Sequence, residues 1–172
     1  MEICTSMALE RKELERAMAK SDLRSKADAI AYADALTRMV WNHNLLGLVH
    51  AYYDPNAVYK GANGLKIIGT QGIVNEFLSM QAAFPDLRVH ITETFAAGDA
   101  AQGFTVYQRS WCDGSNTGTS KFGPPTGRRL NETNSMGQSV YLFRKIQECW
   151  KVSSEFSLRS QPTIDRLLKN QP

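Results

Sequence analysis

The sequence has few of the residues that build disulfides or metal sites. Among its 172 residues are three cysteines that share no CxxC spacing: Cys4, Cys112 and Cys149. An odd, scattered set of this kind is typical of free thiols in a reducing compartment. The three histidines form no HxH, HxxxH or HExxH pattern: His43, His50 and His90. We therefore predict no disulfide framework, no metal site and no metal cofactor.

Long apolar runs and blocks of basic residues are also missing. No stretch approaches the roughly 18 apolar residues of a membrane-spanning helix, and charged residues occupy the N-terminus where an apolar leader would lie. The formal net charge is only +3 and is spread along the chain, with Arg128 and Arg129 as the densest basic pair in its middle. These features argue against membrane insertion and nucleic-acid binding. We predict a soluble, cytoplasmic protein.

What is present is the composition of an ordinary globular domain. Hydrophobic residues make up 42% of the chain and charged residues 22%, close to the average for soluble proteins. The length suits one domain with a substantial core. We divide the chain into a helical extension over residues 1–24, one domain over 25–161 and a C-terminal tail over 162–172.

Helical patterns dominate the first half of the chain and strand patterns the second. Helix formers or apolar residues at helical spacing predict helices over 8–20, 26–43, 45–53 and about 70–83. Alternating or short apolar segments predict strands at 57–60, 65–68, 103–111, 129–143 and 145–154, the last two joined by a tight turn at Arg144 and Lys145, and a strand from Leu87 that ends at Gly98-Asp99. Helices first and a run of antiparallel strands afterwards is an α+β layout.

Several short motifs occur in one order along the chain. They are Trp41-Asn42, Tyr52-Tyr53-Asp54, Gly69-Thr70-Gln71-Gly72-Ile73, Phe84-Pro85-Asp86-Leu87-Arg88, Gly98-Asp99, Gly118, Pro124-Pro125-Thr126-Gly127-Arg128 and Ile146-Gln147-Glu148-Cys149-Trp150. With these motifs the chain resembles the SnoaL-like polyketide cyclases of the NTF2-like superfamily, over about residues 29–161.

This resemblance implies an NTF2-like cone, in which a strongly curved antiparallel sheet wraps around a long N-terminal helix. It also implies a homodimer without a metal or organic cofactor. Founding members of the family close a ring by an intramolecular aldol reaction on a polyketide intermediate. An acid/base aspartate lies a few residues after their last-strand tryptophan, and a histidine acts as its partner.

The chain departs from the family at both members of that pair. Aligning Trp150 with the family's tryptophan places Ser154 where the aspartate is expected, with Glu155 beside it. The partner histidine of the family lies in the later strands, but no histidine follows His90 in this chain. The resemblance therefore predicts the fold and leaves the acid/base chemistry open.

Strict alternation along the last strand puts five residues on one face: Ile146, Glu148, Trp150, Val152 and Ser154. Because three of them are apolar, we predict that this face is covered and that Glu148 projects into an apolar cavity, where burial raises a carboxyl pKa. The alternative is that Glu148 pairs with Arg109 and holds the sheet together. We take Glu148, Ser154 and Arg109 as candidate catalytic residues. Glu155 would face the cavity only if the strand is bulged.

Other segments supply candidate substrate contacts. Polar groups that share a predicted inward face on the preceding strand are Glu132, Asn134 and Gln138, unless Gly137 shifts the register. Candidate aromatic walls are Trp41, Tyr53, Tyr59, Tyr107, Trp111 and Trp150. Such a cavity suits a flat, hydrophobic ligand.

Three functions remain open at this point. The first is a cofactor-independent cyclase, isomerase or dehydratase acting on a hydrophobic polyketide- or terpenoid-like molecule, with catalysis largely by orientation. The second is another enzyme of the same fold, such as an epoxide hydrolase or a ketosteroid-type isomerase, in which Glu132, Asn134 and Arg109 would hold a water. The third is a non-catalytic binding or dimerisation module, which a cone filled by side chains would favour.

Overall fold

The computed structural model describes residues 2–19 and 22–159. Its helices are α1 (Glu2–Met18), α2 (Lys26–Trp41), α3 (Leu48–Tyr52), α4 (Thr70–Ala83) and α5 (Glu132–Ser135), with a short 3₁₀ turn at Ala62–Gly64. Its strands are β1 (Tyr53–Lys60), β2 (Lys66–Ile68), β3 (Arg88–Asp99), β4 (Gly103–Ser115), β5 (Arg129–Leu130), β6 (Gly137–Ile146) and β7 (Cys149–Arg159). The predicted α+β class is confirmed.

The strands form one curved sheet in the order β2-β1-β7-β6-β4-β3, with β5 paired to β4. Neighbouring strands run antiparallel except β1 and β7, which run parallel. Within the described part of the chain the edge strands β2 and β3 do not pair with each other, so the sheet is not closed. The prediction of a curved sheet around a helix is confirmed, and the one parallel pair corrects the expectation of a wholly antiparallel sheet.

Helix α2 packs against the concave side of this sheet. It begins with a reciprocal cap, in which Ser25 Oγ accepts from the Asp28 amide at 3.2 Å and Asp28 Oδ2 accepts from the Ser25 amide at 3.1 Å. One face of α2 is buried in the main core and includes Tyr32, Leu36 and Val40. Each large apolar side chain buried in this way contributes roughly 1.5–3 kcal/mol.

The end of α2 is tied to β3 by one side chain. Asn42 Nδ2 donates to the Val89 carbonyl at 3.0 Å, and Asn42 Oδ1 accepts from the Val89 amide at 2.7 Å. Two bonds to the backbone of one residue fix the distance between helix and strand. The Trp41-Asn42 motif therefore sets where Trp41 lies relative to the sheet.

Helix α1 lies on the body of the domain. Met18 at its end and Leu23 beyond it are buried in the main core, and Arg38 of α2 is 3.6 Å from the Glu10 carboxylate. The part of the predicted helical extension that the structure describes thus packs on the domain. The predicted tail over 162–172 lies outside the described residues.

The predicted continuous strand over 129–143 is wrong. The structure breaks it into β5, the short helix α5 and β6. Asn131 caps α5, because its side chain accepts from the amides of Thr133 and Asn134 at 3.0 and 3.2 Å. Asn134 returns the contact by accepting from the Asn131 amide at 2.9 Å. This reciprocal cap outweighs the period-two pattern.

The last hairpin turns later than predicted. Strands β6 and β7 continue past Arg144 and Lys145 and are joined by Gln147 and Glu148, whose φ angles are +49° and +64°. Two successive positive φ angles are the signature of a type I′ turn, whose twist matches that of the paired strands. The predicted turn at Arg144 and Lys145 is therefore wrong.

Strand β7 contains a bulge. Phe143 of β6 pairs with Val152, whereas the preceding residue Leu142 pairs with Ser154, so Ser153 is an extra residue on β7. Ser153 Oγ donates to the Leu142 carbonyl at 3.0 Å. An extra residue inverts the phase of alternation. Residues on the inner face therefore change from even numbers before the bulge to odd numbers after it.

Candidate functional site

A cavity of about 250 Å³ lies between the helices and the inner face of the sheet. Its apolar walls include Trp41, Phe77, Met80, Leu87, Val89 and Phe122. Its polar walls come from β1, α2 and the central strands and include Tyr59, Thr37, Gln108, Tyr141, Glu155 and Arg159. Apolar walls with a few convergent polar groups are the usual form of a small-molecule site.

The carboxylates of Glu76 and Glu155 line this cavity, and Glu155 is the buried one. It is 3% exposed, and its Oε2 accepts a hydrogen bond from the Tyr53 hydroxyl at 2.6 Å. Burial raises the pKa of Glu155 to about 7, against the opposing effects of the Tyr53 hydrogen bond and the charge of Arg159. A carboxyl group with this pKa exchanges protons readily near neutral pH.

The bulge at Ser153 is what turns Glu155 inward. If Ser153 were an ordinary paired residue of a regular strand, alternation from Trp150 and Val152 would place Ser154 in the cavity and Glu155 outside it. In the structure Glu155 lines the cavity, and Ser154 is not among the cavity-lining residues. The condition under which we expected Glu155 to replace the family's aspartate is therefore met, and the predicted inward placement of Ser154 is wrong.

The row of inward residues continues from Glu155 to Ser157 and Arg159. Arg159 Nη1 donates to the Ser135 carbonyl at 2.9 Å, and Arg159 Nη2 donates to Ser110 Oγ at 3.1 Å. Gly137 makes room for it, since a Cβ on Gly137 would lie 2.6 Å from Arg159 Cγ. The row thus has a carboxyl group at one end and a guanidinium at the other.

Three of the predicted aromatic residues belong to this site. Trp41 and Tyr59 line the cavity, and Tyr53 contacts it through its hydrogen bond to Glu155. Burial raises the pKa of both Tyr53 and Tyr59, with the nearby Glu155 charge adding to the rise. Both phenols therefore keep their protons near neutral pH.

The predicted placement of Glu148 in the cavity is wrong. Glu148 lies in the turn between β6 and β7, where its side chain is 90% exposed and 3.1 Å from Lys145 Nζ. The predicted alternative partner, Arg109, is on the outer face of β4 and pairs with Glu93 at 3.9 Å instead. An exposed carboxylate in this turn is not placed to act on a ligand in the cavity.

The predicted walls on β4 lie on the wrong side of the sheet. Tyr107 and Trp111 share the outer face of β4 with Arg109, where Tyr107 stacks on Phe95 and Trp111 on His90. The inner face carries the alternate residues Phe104, Val106, Gln108, Ser110 and Cys112. Choosing aromatic residues as walls led to this error, although the charge of Arg109 in the same row indicates the face that meets water.

The remaining predicted contacts lie outside the cavity as well. Glu132 and Asn134 belong to α5, where Asn134 Nδ2 donates to the Arg129 carbonyl at 3.0 Å. Gln138 is exposed on the outer face of β6, because the inner face of that strand carries the buried Ser139, Tyr141 and Phe143. Trp150 is buried in the main core against Phe104, with ring centroids 5.5 Å apart.

Several lining residues were not predicted. They are Thr37 of α2, Gln108 and Ser110 of β4, Ser139 and Tyr141 of β6, and Ser157 and Arg159 of β7. On β4 a signal exists, because Gln108 alternates in phase with the apolar Phe104, Val106 and Cys112. On β6 a signal also exists, because Ser139 and Tyr141 alternate in phase with Phe143, whereas on β7 the bulge hides it.

Metal ligation has little support in the described residues. Across 2–19 and 22–159 no group of three or more histidine, cysteine, aspartate or glutamate side chains is placed to hold a metal ion. Cys112 is a buried free thiol and Cys149 an exposed one.

Within the same ranges no helix is long and apolar enough to cross a membrane. The cytoplasmic location stays a prediction.

The architecture defines the class of protein before any comparison of sequences. A helix packed against a curved, open sheet, with a cavity between them, is the NTF2-like fold, and solved NTF2-like structures match it over most of the chain. The chain belongs to the SnoaL-like polyketide cyclase family, whose sequence profile matches residues 31–161. The predicted family is therefore confirmed.

Solved structures with this fold are distant in sequence. A candidate SnoaL-like polyketide cyclase from Jannaschia sp. CCS1 is 14% identical, covers 88% of this chain and 99% of its own, and superposes with a TM-score of 0.66. AclR, a candidate hydroxylase from Streptomyces galilaeus, is 19% identical, covers 86% and 100%, and has a TM-score of 0.64. Nuclear transport factor 2 from Cryptosporidium parvum is 15% identical, covers 81% and 98%, and has a TM-score of 0.58. At these identities the likeness shows the fold alone. No curated protein sequence matches the chain.

Proposed function

We propose that the protein is a cofactor-independent acid/base enzyme, a cyclase, isomerase or dehydratase, acting on a small hydrophobic molecule. The observation that supports this most directly is Glu155, a carboxyl group buried in an apolar cavity with a pKa of about 7. Proton transfer by a positioned group of this kind contributes typically about 10²–10⁴-fold to a rate. Membership of the SnoaL-like polyketide cyclase family supports the same class of chemistry.

The proposed reaction begins with proton transfer next to a carbonyl group. Ionised Glu155 takes a proton from the carbon beside a ketone, and the electron pair moves to the ketone oxygen to form an enolate. In a cyclase the enolate carbon then attacks a second carbonyl, forming the C–C bond, and Glu155 returns its proton to the new alkoxide. In an isomerase the proton returns to a different carbon of the same molecule.

Arg159 lies where it can support this step. Its guanidinium is on the same inward row of β7 as Glu155 and carries several N–H donors. Donors aimed at an oxygen that gains charge stabilise the transition state more than the ground state. We assign Arg159 to the enolate oxygen or to another anionic oxygen of the substrate.

The shape of the cavity favours a substrate with an extended ring system. Trp41 and Phe77 pack against each other on one wall, with ring centroids 4.8 Å apart, and Met80 and Phe122 add apolar surface. Such walls bind a flat apolar ligand without selecting its exact structure. Polyketide- or terpenoid-like molecules meet this description.

The competing functions fare differently. The residues that we expected to hold a water for hydrolysis, Glu132, Asn134 and Arg109, all lie outside the cavity. A non-catalytic module was expected to have a filled cone, whereas this cone contains an open cavity with a buried acid. Both observations favour acid/base catalysis.

The proposal is tested by hydrogen exchange on a generic enolisable ketone. The wild-type protein in D₂O is expected to accelerate deuterium incorporation into 2-tetralone, followed by NMR, with a rate that rises with pH through about 7 as Glu155 ionises. Glu155→Gln should lower the protein-dependent rate by about 10²–10⁴-fold.

The matched control is Glu148→Gln, which removes the exposed carboxylate of the turn. We expect it to exchange at the wild-type rate. Equal rates for wild type and Glu155→Gln, or no acceleration by wild type over buffer, would contradict the proposal. Retained binding of 2-tetralone without exchange would instead support a binding module.

We also propose that the protein forms a homodimer through the outer face of the sheet. Apolar side chains on that face remain exposed, including Phe95 at 53% and Leu158 at 40%. Exposed apolar surface on a sheet is a common interface with a second copy. In sedimentation velocity Phe95→Asp should shift the wild-type dimer to monomer, whereas Leu9→Asp on α1 should leave it a dimer. A wild-type protein that sediments as a monomer at all concentrations refutes this proposal.

A further inference from the structure

A chain of hydrogen bonds leads from the rim of helix α2 to the wall of the cavity. Thr94 Oγ1 and Gln108 Nε2 both donate to Asp34 Oδ1, at 2.7 and 2.6 Å. Thr37 Oγ1 donates to Gln108 Oε1 at 2.8 Å and lies 3.1 Å from the Tyr141 hydroxyl. Four elements meet here, since Asp34 and Thr37 lie on successive turns of α2, while the other partners come from β3, β4 and β6.

The direction of each bond follows from the chemistry of the groups. A carboxylate only accepts hydrogen bonds, so Gln108 turns its NH₂ group to Asp34 and its carbonyl oxygen to Thr37. Thr37 has one hydroxyl hydrogen, and Gln108 Oε1 takes it. The contact between Thr37 and Tyr141 can then form only if Tyr141 donates its hydrogen to Thr37 Oγ1.

The consequence appears at the cavity wall. Tyr141 lines the cavity, and once it donates its only hydroxyl proton to Thr37 it has no proton to offer a ligand. Burial raises the pKa of Tyr141, with the Glu155 charge adding to the rise, so the phenol stays neutral and keeps this proton. The phenol oxygen therefore presents lone pairs, and no proton, to a ligand.

We infer that Asp34, Gln108 and Thr37 orient Tyr141 as a hydrogen-bond acceptor, so that the cavity selects ligands with a hydroxyl group opposite Tyr141. This inference rests on the proposed function, in that a small molecule binds in the cavity. Thr37, Gln108 and Asp34 are then positioning residues. The ligand is required to carry a hydrogen-bond donor, a requirement that the apolar walls do not impose. A carbonyl oxygen at the same place would face lone pairs and is disfavoured.

One neighbouring group competes for the same oxygen. Ser139 lies beside Tyr141 on the cavity wall, and its Oγ is 3.2 Å from Ser157 Oγ. A phenol oxygen accepts more than one hydrogen bond, so a ligand hydroxyl joins or displaces the serine. The variant Ser139→Ala separates the two donors, because it should leave the preference for hydroxyl-bearing ligands in place.

The test uses two ligands that differ only in the group concerned, 9-fluorenol and 9-fluorenone. Neither is enolisable, so binding is measured without turnover, by equilibrium dialysis with detection by absorbance. Wild type should bind 9-fluorenol about ten-fold more tightly than 9-fluorenone, the size expected for one buried hydrogen bond gained against one lost. Thr37→Ser keeps the hydroxyl and should keep this ratio.

Two variants disrupt the orientation of the Tyr141 hydroxyl group in different ways. Thr37→Val frees the Tyr141 proton to turn into the cavity, so the affinity for 9-fluorenone should rise and the ratio should approach one or invert. Tyr141→Phe removes the oxygen, so the ratio should fall toward one because the affinity for 9-fluorenol is lost. If Thr37→Val fails to fold by circular dichroism, Tyr141→Phe carries the test, because Phe is close in shape to Tyr.

The outcomes separate this inference from the proposed function. Equal affinities of wild type for the two compounds, or a ratio unchanged by Tyr141→Phe, refute the inference and leave the role of Glu155 standing. A wild-type protein that binds neither compound contradicts both. Exchange of 2-tetralone that is lost in Glu155→Gln, together with the expected binding ratios, supports both.

Discussion

The two faces of the sheet give neighbouring residues of β7 opposite environments. On the inner face Glu155 is buried beside Tyr53, and Arg159 reaches Ser110. On the outer face Phe156 and Leu158 remain exposed. The polar residues of this segment are thus inside and its apolar residues outside, the reverse of a simple soluble strand. Such an inversion fits our proposals of a ligand at the inner face and a second copy of the chain at the outer face.

Two glutamates show what the face does to one functional group. Glu148 and Glu155 are on the same hairpin, but Glu148 lies in water beside Lys145, whereas Glu155 lies in the cavity beside Tyr53. Burial alone gives Glu155 a raised pKa. The identity of the residue therefore says little about its chemistry until its face is known.

The largest effect is expected when the carboxyl group is moved to the other face of β7 without leaving the strand. The double variant Ser154→Glu with Glu155→Ser keeps the composition and moves the acid by one position, to the outer face. We expect the exchange of 2-tetralone to fall by about 10²–10⁴-fold, because the base no longer contacts the ligand. NMR in D₂O measures it.

A deletion of Ser153 is the control for this variant. It removes the bulge but leaves the pairs Phe143 with Val152 and Leu142 with Ser154 in place, now consecutive. Glu155 should therefore stay inward and the exchange rate should stay near that of wild type. Activity in the double variant, or its loss on deletion of Ser153, would show that the faces of β7 are assigned wrongly.

A smaller effect is expected on the pH dependence of stability. Since the pKa of Glu155 rises from 4.5 to about 7 on folding, the folded state holds a proton that the unfolded state has lost between these values. The contribution of protonated Glu155 to the free energy of unfolding is therefore fully present below pH 4.5 and is lost as the pH rises through about 7. Wild type should therefore lose on the order of 3 kcal/mol relative to Glu155→Gln across this range.

Urea unfolding at pH 4.5 and pH 8 measures this difference, because the subtraction of Glu155→Gln removes the contributions of other groups. A wild-type protein that gains stability relative to the variant as the pH rises would show that Glu155 is stabilised in its ionised form. In that case a strong interaction with Arg159 outweighs burial.

The sequence predicts the fold of this protein better than its site. Helix α2 is predicted correctly from its apolar periodicity. The family is predicted from motifs such as Trp41-Asn42, whose structural role is the pair of hydrogen bonds from Asn42 to Val89. These features are local or depend on a helix period that tolerates small errors. The predicted family and fold are therefore confirmed.

The site depends on the phase of alternation, which tolerates no error. One extra residue at Ser153 exchanges Ser154 for Glu155, and on β6 the apolar Val140 and Leu142 suggested the wrong face for Gln138. A period of two offers only two faces, so every irregularity inverts the assignment. Nothing in residues 150–155 requires the bulge, so the sequence predicts an inward Glu155 only on the condition that β7 is bulged.

Asp34 gives this protein a means of changing its ligand without changing its binding pocket. Its carboxylate accepts from Gln108 and is not among the cavity-lining residues. On our inference it nevertheless decides which way the proton of Tyr141 points. Substitutions at this helix position can therefore alter ligand preference while every wall residue is kept, so relatives with identical pockets can differ in what they accept. Pocket identity is then an incomplete criterion for grouping such proteins by substrate.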